Sequence, residues 1–145
     1  MATVQAIHVA PQKGAPLESV EAVEAVAGEG LQGDRYLGVG GKRQLTIVST
    51  EELDEAAEEW GQPIPPGATR RNVTISGMRL PRKAGAKLRL GAVVVEVDQD
   101  CAPCGLMENC VGEGAKQALV ERAGVRARIL EGGTISVGDP VVRLG

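Results

Sequence analysis

Short runs of β-branched and aliphatic residues, separated by glycine and proline, recur along the whole chain. Several of them alternate in polarity, as in the segments 4–9 and 93–97, and period-two alternation over such lengths predicts β-strands rather than helices. Glycine makes up 20 of the 145 residues, roughly twice its usual share, which favours turns and bulges. The predicted strands are Thr3–Val9, Ser19–Ala25, Gln44–Ser49, Asn72–Ser76, Lys87–Leu90, Ala92–Val97, Val125–Leu130 and Thr134–Leu144, the last broken at Gly138-Asp139-Pro140.

Two segments have the spacing of helices. Ser49-Thr50-Glu51-Glu52 resembles a capping box, and apolar residues follow at helical intervals until Gly61. A second helix is expected from Glu113 to Ala123, ended by Gly124. With one Trp, one Tyr and no Phe, the core must be aliphatic. These features predict a mainly β (β+α) fold, a closed or nearly closed mixed β-barrel with two or three peripheral helices.

Length and charge exclude several classes of protein. A chain of 145 residues is expected to form a single domain, 1–145. Its net charge of −3 and its lack of aromatic stacking residues argue against a nucleic-acid partner. The first ten residues have no basic region before an apolar stretch, and no apolar run reaches 18 residues, so neither a signal peptide nor a membrane span is expected. Three clustered cysteines make a poor disulfide framework and favour the reducing cytoplasm.

Charge is unevenly distributed along the chain. Residues 51–59 contain six acidic and no basic residues, which is typical of the solvated face of a helix. Residues 70–89 contain no acidic residue and seven basic ones. This run is either a solvated basic edge that discourages strand pairing or an anion site, in which Arg70 and Arg71 could hold one phosphate. The basic residues are Arg70, Arg71, Arg79, Arg82, Lys83, Lys87 and Arg89.

The cysteines form the first candidate for chemistry. Cys101-Ala102-Pro103-Cys104 follows a predicted strand, and Cys110 comes six residues later. A C-x-x-C pair can be half of a zinc site, a thiol–disulfide exchange motif, or the source of one soft thiolate ligand for a metal-bearing cofactor. Burial of all three thiols in the core is a further alternative. Polar neighbours on both sides favour a loop.

A glycine-rich stretch is the second candidate. It runs from Gly28 to Tyr36 (GEGLQGDRY) and continues from Gly38 to Arg43 (GVGGKR). Glycines at this density let backbone N–H groups approach an anion. The stretch lacks the ending of a P-loop and the following helix of a dinucleotide-binding motif, so a turn-rich connection is the default interpretation of the stretch taken alone.

Six segments read together resemble the MOSC domain, a β-barrel module of molybdenum-cofactor sulfurases, amidoxime-reducing components and small bacterial proteins. They are GLQGDRY at 30–36, RQLTIVS at 43–49, RNVTISG at 71–77, KLRLG at 87–91, CAPC at 101–104 and RARILEGGTISVGDPV at 126–141. The resemblance implies a cytosolic mixed barrel that binds the molybdenum cofactor (molybdopterin) or carries sulfur for it. The family's characteristic cysteine corresponds to Cys104, either as a molybdenum ligand or as a persulfide carrier.

The resemblance also implies binding residues. Arg71 and Asn72 correspond to the family's segment near the cofactor phosphate, and Arg70 completes the arginine pair. Gly33, Asp34 and Arg35 match a G-D-R turn, and Arg43 and Gln44 match the start of an R-Q strand. Many small relatives have a histidine where this chain has Tyr36, so a proton-transfer role at that position is in doubt. If the basic run folds beside Cys104, it is expected to lower the pKa of that thiol.

Three functions follow as expectations. The first is a carrier or binding module for the cofactor or a persulfide, supplied by a partner cysteine desulfurase, since no pyridoxal-phosphate domain is present in these 145 residues. The second is a molybdenum-dependent reductase of N-hydroxylated compounds that takes electrons from a donor protein. The third is a thiol-bearing barrel with structural zinc at Cys101, Cys104 and Cys110. The resemblance favours cofactor binding and leaves catalysis and oligomeric state open.

Overall fold

An eight-stranded mixed sheet and a three-stranded sheet form most of the computed structural model, which describes residues 2–12, 16–34, 37–38, 44–64, 69–101, 112–120 and 122–144. The strands are β1 Thr3–Val9, β2 Glu18–Val20, β3 Ala22–Val26, β4 Gly30–Leu31, β5 Leu45–Ser49, β6 Val73–Ser76, β7 Lys87–Leu90, β8 Val93–Asp100, β9 Val125–Glu131, β10 Gly133–Ser136 and β11 Val141–Leu144. The helical segments are α1 Thr50–Trp60 and α2 Ala115–Ala118.

The large sheet has the order β11-β7-β8-β9-β5-β6-β1-β2, and the small sheet has the order β10-β3-β4. Only the β5–β6 pair is parallel among the described strands, because α1 follows β5 and the chain then returns to β6 in the same direction. Strands β7 and β8 form a hairpin, with Leu90 paired to Val93 across a two-residue turn. The mainly β class is therefore confirmed.

The prediction of a closed barrel is wrong for the described residues. The large sheet ends in two short edge strands, β2 and β11, and no ladder of described residues joins them. The sheet does curl, since a single bridge links Thr3 to Pro140 and the amide of Val141 donates to the carbonyl of Ala2 at 2.9 Å. Hydrophobic periodicity identifies strands but carries no information on strand order, so closure could not be read from it.

The helix count also differs from the prediction. Helix α1 begins after Ser49 and ends at Gly61, whose φ of +89° requires the left-handed region, as expected. The second predicted helix, 113–123, is reduced to the single turn α2. Gly114 just before it has φ +90°, which prevents an earlier start. Within the described ranges the chain thus has one helix of several turns, not two or three.

The predicted capping box does not form. The Ser49 hydroxyl donates to the carbonyl of Met78 at 2.7 Å and makes no cap hydrogen bond. The Glu52 carboxylate accepts from the amide of Leu80 at 3.2 Å. Both side chains are used to hold the segment after β6 against the start of α1. The position of the helix was predicted correctly, whereas the contacts of its first turn were not.

The core is aliphatic, as the composition requires. One cluster lies between the two sheets and includes Ile7, Ile47, Val95 and Ile135, all fully buried. A second cluster lies on the other face of β5, where Val48 packs with α1 and α2. Trp60 borders this second cluster, and its indole N–H donates to the carbonyl of Glu113 at 2.7 Å. The outer face of β5 is therefore where the helical segments attach.

Candidate functional site

Asn72 joins three separate parts of the chain just before β6. Its Oδ1 accepts from the backbone amide of Thr46 at 3.0 Å and from the Thr46 hydroxyl at 3.2 Å. Its Nδ2 donates to the carbonyl of His8 at 3.1 Å and to Oδ1 of Asp34 at 3.3 Å. An amide side chain has two donors and two acceptor positions, so all four are used within the protein.

Asp34 is held in the same cluster. It is 7% exposed, and its Oδ1 also accepts from the amide of Ala10 at 2.9 Å. The aspartate of the predicted G-D-R turn and the asparagine of the predicted R-N segment, 38 residues apart, are therefore in direct contact. The structure thus brings together two of the segments that carried the family resemblance. Gly33, which precedes Asp34, has φ +86°, a conformation that favours glycine.

Arg71 is nearly buried and reaches a different part of the fold. Its Nε donates to the carbonyl of Ala123 at 2.6 Å, and the residue is 7% exposed. The next carbonyl, that of Gly124, accepts from the amide of Cys101 at 2.9 Å. The two-residue turn Ala123–Gly124 therefore connects the cationic segment before β6 to the first residue of the cysteine-rich segment after β8.

The residues just before Arg71 have unusual features. Arg70 has φ +60°, and among the described residues other than glycine no other has a positive φ. This conformation costs an ordinary residue roughly 1–2 kcal/mol. The neighbouring Thr69 is 1% exposed, and none of the described residues forms a hydrogen bond with its hydroxyl. Backbone strain and an unpartnered buried polar group often coincide at binding sites. Sequence reasoning missed Thr69 because nothing in a single threonine before two arginines marks it.

Gln44, predicted at the start of an R-Q strand, is 6% exposed just before β5. Its Oε1 accepts from the amide of Ile129 at 2.7 Å, next to the position where β5 pairs with β9. Gln44 and Thr46 occupy alternate positions, so both side chains leave the same face of the sheet. Thr46, missed by the sequence analysis, lies in the same quoted segment as Gln44.

Two arginines of the basic run 70–89 pair with carboxylates and are therefore not available to hold a phosphate. Arg79 pairs with Glu55 of α1, and Arg82 pairs with Glu52 of α1 and with Asp100 of β8. Glu52 is buried, so the interpretation of 51–59 as a solvated acidic face is wrong at this residue. The hydrogen bond from Arg79 lowers the pKa of Glu55. The segment that remains closest to the predicted phosphate role is Thr69–Asn72.

His8, the single histidine, lies on β1 beside this cluster. Its amide donates to the carbonyl of Asn72 at 2.7 Å, while its own carbonyl accepts from the Asn72 side chain. The Nδ1 atom is buried, and no described residue forms a hydrogen bond with it. Burial lowers the pKa of His8 below its ordinary value, since the charged imidazolium is less well hydrated there.

Five residues singled out in the sequence lie outside the described residues: Arg35, Tyr36, Arg43, Cys104 and Cys110. Their predicted roles stay predictions. Cys101 is described and is partly buried. The described residues contain no group of three or more His, Cys, Asp or Glu side chains that could hold a metal ion. No helix in the described part of the chain is both long and apolar enough to cross a membrane.

Comparison with known proteins gives one family and several similar folds. A model of the MOSC domain matches residues 8–142. The crystal structure of the YuaD protein from Bacillus subtilis is similar, with a TM-score of 0.83 and 21% identity over 97% of this chain and 94% of that chain. YiiM from Geobacillus stearothermophilus has a TM-score of 0.78 and 19% identity over 100% of this chain and 76% of its own. YiiM from Escherichia coli has a TM-score of 0.71 and 18% identity, over 100% and 70% respectively. No curated protein matches the chain.

Proposed function

The chain belongs to the MOSC domain family, and from that premise we propose that it binds the molybdenum cofactor, with Cys104 as the metal ligand or as the carrier of a persulfide sulfur. The phosphate of the cofactor is held by the segment Thr69–Asn72. The proposal describes a binding or carrier domain first, because Thr69–Asn72 offers a seat for an anion and Cys101 begins a thiol-bearing segment.

One observation supports this proposal more than any other. Arg71 and Cys101 hydrogen-bond to consecutive carbonyls, those of Ala123 and Gly124. A cation and the entry to the cysteine-rich segment are therefore attached to the same turn. A ligand with a phosphate at one end and a thiophilic metal at the other needs both kinds of group close together.

The residues before β6 fit a phosphate group. The Thr69 hydroxyl is buried and forms no hydrogen bond with a described residue, so an acceptor oxygen there would give its donor a partner. Arg71 provides permanent positive charge in a largely buried position, where its interaction with an anion is weakly screened. Asn72 is already committed to four hydrogen bonds inside the protein, so its role in this proposal is to fix the segment rather than to touch the ligand.

The remaining chemistry belongs to the cofactor and to partners. When bound, the molybdenum centre would supply two-electron redox chemistry or accept a sulfur. The protein would contribute the Cys104 thiolate, exclude water around it, and orient the phosphate. A pyridoxal-phosphate cysteine desulfurase would provide sulfur in the carrier role. An electron-donor protein would be needed for reduction of N-hydroxylated compounds, which is the second candidate function.

The test is the molybdenum, zinc and pterin content of the protein purified from cofactor-producing cells. Wild type is compared with Cys104→Ser and with the matched controls Cys101→Ser and Cys110→Ser. We expect molybdenum and pterin near one equivalent in the wild type and both controls, and loss of molybdenum in Cys104→Ser alone. Zinc without pterin would instead support a structural thiol site. A persulfide on Cys104 in protein without molybdenum, detected by mass spectrometry, would support the carrier role.

A further inference from the structure

Arg82 makes three contacts where the chain leaves β8. Its Nη2 pairs with Glu52 of α1 and its Nη1 pairs with Asp100, the last residue of β8. The same Nη1 lies 3.5 Å from the carbonyl of Gly124. That carbonyl also accepts the amide of Cys101, so the guanidinium and Cys101 share one acceptor. Arg82 is therefore attached to both sides of the point at which the cysteine-rich segment begins.

The shape of arginine suits this place. The two terminal nitrogens of its planar guanidinium bind two carboxylates at once, one on a helix and one on a strand. A lysine ammonium is a point charge and does not bridge two such groups with the same geometry. Arg82 itself is about a quarter exposed, whereas the Glu52 side chain is 3% exposed. Its second oxygen is bound to the amide of Leu80, so Glu52 is fixed and can serve as an anchor.

Glu52 is connected to Cys101 through a short series of contacts. Glu52 holds Arg82, Arg82 holds Asp100, and Asp100 is joined covalently to Cys101. On the opposite strand, Val125 pairs with Asp100 directly after Gly124. Without Arg82, the contact of Asp100 that remains among the described residues is its pairing with Val125 of β9. Terminal strand residues with few other contacts open locally far more readily than the rest of a sheet.

We propose that Arg82 is a positioning residue for the start of the cysteine-rich segment: by clamping Asp100 to the buried Glu52, it fixes the backbone of Cys101. The basic residue thus acts on the protein's own chain and not on a ligand. The inference concerns the segment used by the proposed function, but its test requires no cofactor. The positioning role of Arg82 can therefore be refuted while the proposed function stands, and the reverse is also true.

The test separates positioning from stability. Arg82→Met alone leaves the buried Glu52 without a counter-charge and is expected to lower stability strongly. The double variant Arg82→Met with Glu52→Gln removes both charges, keeps an acceptor for the amide of Leu80 and is expected to recover much of that stability. Asp100→Asn removes only the ion pair between Arg82 and the residue before Cys101, and it leaves the pair between Arg82 and Glu52 in place. For each protein, the amide hydrogen exchange of Cys101 is measured by NMR and the alkylation of Cys101 by peptide mass spectrometry.

Positioning predicts that exchange and alkylation at Cys101 are about fivefold faster or more in the double variant and in Asp100→Asn, although the double variant unfolds at a urea concentration close to that of the wild type. Arg79→Met is the matched control, because Arg79 pairs with Glu55 on the same helix and with no residue of β8. It should leave Cys101 unchanged. If protection of Cys101 returns to the wild-type level together with stability in the double variant, the positioning role is refuted and Arg82 is only a structural partner of Glu52.

Discussion

Arg71 and Cys101, 30 residues apart in the sequence, are attached to consecutive carbonyl groups of one turn. The Arg71 guanidinium binds the carbonyl of Ala123, and the Cys101 amide binds the carbonyl of Gly124. Ala123 is fully buried, so water cannot replace Arg71 as the hydrogen-bond donor to its carbonyl. The turn therefore sets the distance between a cation and the start of the thiol-bearing segment, and its integrity decides whether the candidate site exists.

The first prediction concerns that turn. A Cβ on Gly124 would lie 2.3 Å from the carbonyl oxygen of Ile47, which is backbone and cannot move aside, and φ is +95°. We expect Gly124→Ala to lower the free energy of unfolding by more than about 4 kcal/mol. Gly138 has the same φ of +95° with nothing within 4 Å, so Gly138→Ala should lower it by only about 1–2 kcal/mol. Urea unfolding of both variants measures the difference, and equal losses would contradict the predicted clash.

The second prediction isolates the strain at Arg70. Arg70→Gly and Arg70→Ala both remove the side chain, but only glycine adopts φ +60° without steric conflict. We expect the glycine variant to be more stable than the alanine variant by about 1 kcal/mol. Both should bind pterin phosphate more weakly than the wild type. Calorimetric unfolding together with cofactor content tests this, and a glycine variant no more stable than the alanine variant would show that the backbone is not strained.

The local elements were predictable because each depends on neighbours in the sequence. Strands β1 and β7 have the predicted bounds, and Gly61 ends α1 as its position indicated. Errors appear where the structure depends on contacts between residues that are distant in the sequence. The predicted strand 19–25 divides into β2 and β3, which pair in different sheets, and β4 was missed because two residues give no periodicity.

The candidate site was predictable in its residue types and not in its contacts. The resemblance selected Asp34 and Asn72, which are in contact, whereas the hydrogen bonds of Asn72 to His8 and Thr46 could not be read from it, and its role toward the cofactor stays a prediction. Charge counting treated residues 51–59 and 70–89 as separate surfaces. Arg79 and Arg82 instead neutralise acids of α1, a pairing that depends on how the segment after β6 folds back over the helix.

The third prediction tests the hydrogen bonds of the Asn72 side chain. Asn72→Asp replaces a donor by a carboxylate oxygen that faces Asp34 Oδ1 and the carbonyl of His8. We expect a loss of about 3 kcal/mol at pH 7, from two lost hydrogen bonds and one like-charge contact. Adding Asp34→Asn restores a donor opposite the new carboxylate and should recover at least about 1 kcal/mol. Double-mutant analysis of urea unfolding measures this coupling. Additive losses would mean that the contact between residues 34 and 72 contributes nothing.

The fourth prediction concerns pH. Burial lowers the pKa of His8 in the folded protein, so between that lowered value and the unfolded value near 6.5 the unfolded chain binds more protons. Stability contributed by the neutral imidazole is therefore present above pH 6.5 and is lost as the pH falls toward the folded pKa.

Because the chain has a single histidine, His8→Gln removes this dependence. We expect the free energy of unfolding to fall more steeply for the wild type than for His8→Gln between pH 7.5 and 5.5, a range chosen around the pKa of free histidine of about 6.5. Above pH 7.5 the difference between the two proteins should be constant, since His8 is neutral in both states. Parallel curves throughout would mean that the imidazole is hydrated and not buried.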